Sequence, residues 1–478
     1  MRRTVLAVVF GLLVIGLGAL GAPAASDPGF KTAKRPYLVP IDPASGVLTD
    51  PILSTGDVVG GYQMSGIPDG LGAYKDSGTL QVLMNHELGA TFPGTPPLID
   101  TRISKVRIDD KTHSVLGATY LFNGNLVTEG FERFCSATLE VINGTPYYFT
   151  GEESIAPTTP PSGRDGSSIV MNAETGSWTA TPHFGHIQHE NIVPVERIKK
   201  FMVVTTDDDF RTGQPALLLA YIADSFDDAV AGNGQLYVWR ALNPTDTPFT
   251  IHEGDTIPGK FEELSQAENA NSVSIKLAAN AKGAFRFSRL EDAATAQQTP
   301  GRLYFADTGK VNAPGATTDP TATGRIYQLD IDPSDPTKAS LTFLLDSLGG
   351  TRFANPDNLD TSAHSLVFQE DRESPFRDSY NRVLVYNFRD KSLRAVARVD
   401  PYPGQRKGQW ESSGVINAQT LLGNDWWLVD VQAHPTGLIS TERQPGPIAP
   451  GVQPAPWLFP LPPNGEDGQL LALYIPNS

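Results

Sequence analysis

Acidic side chains recur at one kind of place in this sequence, the ends of short runs rich in β-forming residues. Glu87 follows the run 80–84, Glu152 and Glu153 follow 146–150, and Asp207, Asp208 and Asp209 follow 201–206. Glu190 precedes a further β-rich region, Glu370 and Asp371 follow 365–368, and Glu411 opens another run. Several anions cannot share a small volume unless cations bind them or some keep their protons. All-oxygen donor sets suit hard cations such as Ca2+. Taken singly, each acid reads as a solvated turn residue; taken as a set, they are candidates for hard-cation sites.

The remaining reactive residue types are sparse. Cys135 is the one cysteine, so no intramolecular disulfide forms, and it is either a small buried hydrophobe or a residue with a specific task. His183, His186 and His189 are spaced by three, which fits neither a Glu-bearing helical zinc motif nor a zinc finger. Asp330-x-Asp332-x-Ser334-Asp335 lacks the glycine and terminal Glu of a calcium loop and reads as a turn. There is no Gly-x-Ser-x-Gly elbow, no phosphate-cradling P-loop and no dinucleotide fingerprint.

The elements that must position these acids are strands. Gly (45) and Pro (39) punctuate the chain into short β-rich runs, among them 235–239, 302–306, 325–329, 382–388 and 426–431. The best helix candidate is 262–284, on a loop. Gly301-Arg302-Leu303-Tyr304-Phe305-Ala306-Asp307 is echoed by Gly324-Arg325-Ile326-Tyr327-Gln328-Leu329-Asp330, without a strict period. Hairpins recurring in this way predict an all-β fold: an irregular, six-bladed β-propeller with loop and short helical insertions. A strand at 469–475 is expected to return to the first blade and close the ring. Long surface loops are expected at 156–166 and 311–323, and an extended proline-rich tail at 444–465.

Residues 1–24 read as a signal peptide: Arg2 and Arg3, an uncharged apolar run over 5–20, then Ala22-Pro23-Ala24. The expectation is a secreted or periplasmic protein with one propeller domain over 25–478, monomeric and free of the membrane after cleavage. A formal charge of −16 argues against nucleic-acid backbones as partners.

The segment 82–87, ending Asn85-His86-Glu87, resembles the Asn-His-Glu segment of the PhoX-type bacterial alkaline phosphatases. So do Cys135-Ser136 followed by Gly151-Glu152-Glu153, the His-Glu stretch 184–190, the strand with paired aspartates 203–209 and Asn355-Pro356-Asp357-Asn358-Leu359. Glu411-x-x-Gly414 and Asp430-Val431-Gln432-Ala433-His434-Pro435 are similar to that family's closing motifs. The resemblance implies a propeller with an Fe3+ and Ca2+ cluster at its mouth, hydrolysing small phosphate monoesters. It implies iron at Glu87 and Cys135, both also catalytic, with Glu190 as a third ligand, and calcium at Glu153, Glu370 and Glu411. Glu152 and Asp208 join the metal set through the paired-acid motifs. Arg164, Arg352 and Arg372 are phosphate-binding candidates by position. One departure is local: Ala137-Thr138-Leu139-Glu140 stands where the family carries Gly-Gly and Thr-Pro-Trp-Gly. Two other readings stay open, a non-catalytic propeller stapled by calcium, and a calcium propeller hydrolase acting on lactones, phosphotriesters or phytate.

Overall fold

A computed structural model of the chain describes residues 29–89, 101–123, 131–155, 166–211, 214–265, 271–311, 318–373, 375–434 and 466–478. The signal segment, most of the loop 156–166 with Arg164, part of the loop 311–323 and the tail 444–465 lie outside the described residues. The fold is all-β with few, short helices, and its sheets are arranged like those of a propeller.

Six strands define the centre: β1 (Pro68–Asp76), β2 (Phe134–Ile142), β3 (His189–Pro194), β4 (Leu290–Thr295), β5 (Pro356–Thr361) and β6 (Glu411–Asn417). Each begins an antiparallel meander running outward, as in β1, Thr79–His86, Arg102–Ile108 and Val115–Asn123. Neighbouring central strands touch in chain order, and β6 returns to β1. The meanders of β3 and β4 are fused into a nine-stranded sheet by Thr256–Glu263, which pairs with Gln235–Ala241 and Asp335–Asp346.

The packed layers follow from the period-2 pattern of the strands, whose apolar faces meet between sheets. Between the β5 and β6 sheets lie Tyr37, Trp410, Trp427, Val385 and Leu471, all buried. Between the β1 and β6 sheets lie Leu71, Val82, Met84, Leu428 and Leu470. Two details differ from the sequence expectation. The helix is Ser272–Ala281, capped by Asn271, because residues 262 and 263 belong to the strand Thr256–Glu263. The late strand is Asp467–Tyr474, and it pairs with Trp426–Ala433 and with the early strand Leu48–Ser54, inside the β6 sheet and not the β1 sheet. No described helix is long and apolar enough to cross a membrane.

One irregularity repeats in every central strand. Near its start the pairing with the second strand slips by a residue, so that two residues face one. The bulged pairs are Asp69-Gly70, Cys135-Ser136, Glu190-Asn191, Glu291-Asp292, Asp357-Asn358 and Ser413-Gly414. A β-bulge re-aims a side chain that regular pleating would send into a sheet face. At Gly70 a Cβ would sit 2.5 Å from the Ala137 nitrogen, so glycine is what lets β1 approach β2.

Candidate metal centre

The bulges turn the starts of the central strands, and with them the ends of the second strands, toward one rim. Four overlapping groups gather there, each with ligand atoms within 4.8 Å of one another: Asp69–Glu87–Cys135, Cys135–Glu153–Glu190, Glu190–Glu291–Asp357 and Asp357–Asp371–Glu411. Cys135, Glu190 and Asp357 each belong to two groups, so the four form one continuous chain of donors. Asp69, Cys135, Glu190, Glu291 and Asp357 are each the first residue of a bulged pair. Glu87, Glu153 and Asp371 each directly follow a second strand.

The second residues of the bulges lock this arrangement. Asn358 Nδ2 donates to Ser136 Oγ at 2.6 Å, and Ser136 Oγ donates to Glu190 Oε1 at 2.6 Å. Asn191 Nδ2 donates to Asp292, whose other oxygen accepts the Leu359 N–H at 3.0 Å. Gln432 Nε2 spans Asp69 Oδ2 and Glu87 Oε2, 3.0 Å from each. The Cys135 thiol donates to Asp69 Oδ2 at 3.1 Å. Glu190 Oε2 is buried with no hydrogen-bond partner, which leaves it free to bind a cation.

Electrostatics state the same need. Burial, and next the charge of Glu87, raises Asp69 to about 7. Burial first, then the neighbouring carboxylates, pushes Glu190, Glu291, Asp357 and Glu411 well above the ordinary range. The Cys135 thiol is driven up by burial and then by Asp69, Glu190, Glu87 and Glu153. Crowded and buried in this way, these carboxyls and the thiol favour their neutral forms, and a bound cation would favour the charged ones. The donors fit metals of two characters. The groups containing Cys135 mix thiolate with carboxylate, which suits iron better than magnesium or calcium. The two carboxylate-only groups suit calcium.

Two guanidiniums enter the chain of acids, and neither was among the arginines picked out by sequence. Arg133 bonds Glu87 Oε1 at 2.8 Å and Glu153 Oε2 at 2.7 Å. Arg289 holds both oxygens of Asp208 at 2.7 Å, Glu373 at 2.7 Å and Glu291 at 3.2 Å. At the far end, His434 lies between Glu411 (3.8 Å) and Glu466 (2.7 Å). Burial opposes a charged imidazole there, yet these two carboxylates hold its pKa well above the usual value.

Of the residues expected from sequence, Glu87, Cys135, Glu153, Glu190 and Glu411 are brought together. Glu152 is turned away, its oxygens accepting the backbone N–H groups of Glu132 and Ser167. Asp208 is occupied by Arg289. Glu370 is saturated by Arg372, Arg382 and the Ala354 N–H, and its neighbour Asp371 faces the donors instead. Arg372 is thus a buttress, and Arg352 pairs with Glu253 away from the groups. Both nitrogens of His189 are occupied, by Thr205 Oγ1 and the Gly185 carbonyl. Asp69, Glu291 and Asp357 were missed as candidate donors, and Asp371, counted among the strand-end acids, was passed over in favour of Glu370. The signal that marks three of them is a short pattern, an acid followed by Gly, Asn or Asp and then an apolar residue, as in Asp69-Gly70-Leu71, Glu291-Asp292-Ala293 and Asp357-Asn358-Leu359.

No family model matches the chain, and no curated protein matches it. Solved structures similar to it are glycoside hydrolases. One is an α-L-arabinanase from Penicillium chrysogenum complexed with arabinobiose, at 9% identity and TM-score 0.44, covering 90% of this chain and 98% of that one. Another is an enzyme of the GH130 family of mannoside phosphorylases and glycoside hydrolases, at 13% identity and TM-score 0.37, covering 71% and 88%. A GH43_1 enzyme from Xanthomonas citri has 11% identity and TM-score 0.32, covering 82% and 86%. The resemblance to PhoX-type phosphatases is corrected on this finding: no family model carries it and these neighbours are not phosphatases. The assignments as alkaline phosphatase and as phosphomonoesterase fall with it. At these identities and scores the neighbours transfer no activity to this chain.

Proposed function

We propose that this chain is a metal-dependent hydrolase built as a single six-bladed β-propeller, acting at the rim on an uncharged ester, either a lactone or a phosphotriester. The observation that carries this reading is the continuous chain of four donor groups, with Glu190 Oε2 unpartnered at its middle. Six bulged central strands in a closed ring support the blade number. Calcium at the carboxylate groups and iron at the Cys135 groups fit the donor chemistry. The charged-then-apolar N-terminal segment supports export.

An uncharged substrate follows from where the positive charges are spent. Arg133 and Arg289 are both bonded to carboxylates, and the chain is acidic throughout. A multiply charged anion meets no free guanidinium among these groups. Metal ions held by Glu87, Cys135, Glu190, Glu291, Asp357 and Glu411 would supply Lewis-acid polarisation of the ester. The chain's own residues hold that chemistry in place. Ser136, Asn358 and Gln432 fix the donor carboxylates, and Arg133 fixes Glu87 and Glu153. His434, set between Glu411 and Glu466, can hand a proton to a departing oxygen at the Asp371–Glu411 end.

The test is a substrate panel run on protein loaded with calcium and iron, before and after chelation. It contains an aryl lactone, an aryl phosphotriester, an aryl phosphomonoester and aryl arabinoside and xyloside. Turnover of the lactone or triester that disappears on chelation is expected. Glycoside turnover surviving chelation would move the centre to metal-free carboxylate chemistry. Calcium-dependent melting with no turnover of any member would make the chain a stapled binding module.

A further inference from the structure

The turn that enters each central strand also touches the end of the second strand, and in five sheets the touch has one form. The N–H of the residue directly after the second strand donates to the carbonyl of the residue directly before the central strand. Glu87 donates to Ile67 at 3.1 Å, Glu153 to Arg133 at 2.9 Å, Asp208 to Gln188 at 2.9 Å, Thr308 to Arg289 at 2.9 Å and Asp371 to Asn355 at 3.0 Å. In four of these sheets the last residue of the second strand grips the same turn with its side chain, two places before the central strand. His86 Nδ1 bonds the Gly66 carbonyl at 3.0 Å, and Glu152 accepts the Glu132 N–H at 3.1 Å. Asp307 accepts the Ser288 N–H at 3.0 Å, and Glu370 the Ala354 N–H at 2.9 Å. Two sequence neighbours thus hold one turn, the first by its side chain and the second by its backbone. This is the division of labour within Glu152-Glu153 and Glu370-Asp371: the first acid holds the turn and the second faces the rim.

The five turns differ in one respect. Ile67, Arg133 and Asn355 have φ of 40°, 51° and 50°, in the left-handed region, whereas Gln188 and Arg289 do not take positive φ. The residues bonded to the three left-handed turns are Glu87, Glu153 and Asp371, all members of the donor groups. Those bonded to the other two are Asp208, which is paired with Arg289, and Thr308, and neither belongs to a donor group. Backbone conformation therefore follows the donor role. Asn tolerates this region, but for a β-branched residue it is a genuine outlier, and a following proline pushes the chain toward extended geometry instead. Ile67 is both β-branched and followed by Pro68, and its N–H is tied to the Asp467 carbonyl at 3.0 Å. Strain of this kind persists only where the surroundings enforce it, and it gathers at functional sites.

We infer that Ile67, Arg133 and Asn355 are positioning residues, whose left-handed backbone sets Glu87, Glu153 and Asp371 at the rim, with Ile67 held there under strain. The inference deepens the metal-centre reading and takes its purpose from it.

The experiment compares Ile67→Gly with Ile67→Ala in the full-length protein. Both lose the same side chain, but only Ile67→Ala keeps a Cβ that a left-handed turn disfavours. In chelator Ile67→Gly is therefore expected to melt above Ile67→Ala. Its turn is also free to leave the enforced conformation, so hydrogen exchange at the Glu87 amide, measured in chelator, is expected to be faster in Ile67→Gly. Iron and calcium titrations are expected to show rim binding about tenfold weaker in Ile67→Gly than in Ile67→Ala. A purely structural role would make exchange protection and metal binding follow stability. That order, equal exchange in the two variants, or an Ile67→Ala that melts at or above Ile67→Gly overturns the inference. If neither folds, Arg133→Gly against Arg133→Ala makes the same comparison at the Glu153 amide. A wild type that binds neither iron nor calcium sinks the rim reading alone, since the melting and exchange orders are read without metal.

Discussion

Arg289 acts as a built-in cation, and its removal has a magnitude that can be worked out. Its guanidinium takes both oxygens of Asp208 at 2.7 Å, and Asp208 is only 1% exposed with no other side-chain cation bonded to it among the described residues. Unit charges about 4 Å apart interact by ~4 kcal/mol at an effective dielectric of about 20. Removing one partner of a buried pair costs ~3–5 kcal/mol, because the other charge stays buried alone. The two estimates agree on a coupling of ~3–4 kcal/mol between Arg289 and Asp208. The assay is a double-mutant cycle of Arg289→Met, Asp208→Asn and the double variant, by urea unfolding in chelator at neutral pH. Arg289→Met alone should lose the most, since Glu291 and Glu373 are also left without their cation. If the two single losses add to within about 0.5 kcal/mol, the pair is not coupled and the reasoning is wrong.

Cys135→Ser should leave the fold intact while iron content falls at least tenfold and calcium content stays; equal iron in both proteins would exclude a thiolate ligand. Glu140 is raised from 4.5 to about 8 by burial and by the charge of Glu196. The folded state therefore holds an extra proton between those values, and stability from this group falls as pH climbs from about 4.5 to 8. Glu140→Gln should flatten that fall in a comparison of melting temperatures at low and high pH, and an unchanged slope would count against it. Gly70→Ala would place a Cβ 2.5 Å from backbone atoms of Ser136 and Ala137, which cannot swing aside. A loss of ~3 kcal/mol is expected in urea unfolding, and a loss under about 1 kcal/mol would show that β1 and β2 can separate cheaply.

Strands were legible because alternation and Gly/Pro punctuation are local, and so was the clustering of acids at strand ends. Which acid of a pair faces the rim was not. Glu152 against Glu153, and Glu370 against Asp371, differ by a single step of a period-2 strand, and the choice depends on where the second strand ends. The acids at the starts of central strands were hidden for another reason. Asp69, Glu291 and Asp357 look like turn residues, and it is the bulge, a feature of pairing between strands, that turns them inward. Motif order proved a poor guide to reaction. Short combinations of acid, Asn and Gly sit here at the bulges that aim donors at the rim, a geometric role that does not name a substrate. The last strand was placed correctly in sequence but assigned to the wrong partner, since nothing local tells Asp467–Tyr474 to choose Leu48–Ser54.

That pairing of an early strand with the last one also sets an order of events. Asp69 and Glu411 sit on either side of the gap that it closes, and they belong to the two end groups of the donor chain. While the polypeptide is still emerging, the central strands can stack, but the circle stays open and its first and last ligands remain apart. On the proposed metal-dependent reading, full occupancy of the rim therefore waits until Leu48–Ser54 and Asp467–Tyr474 have found each other. Metal loading then reports on completed folding, and a chain shortened by one strand at the end would be left with an incomplete rim.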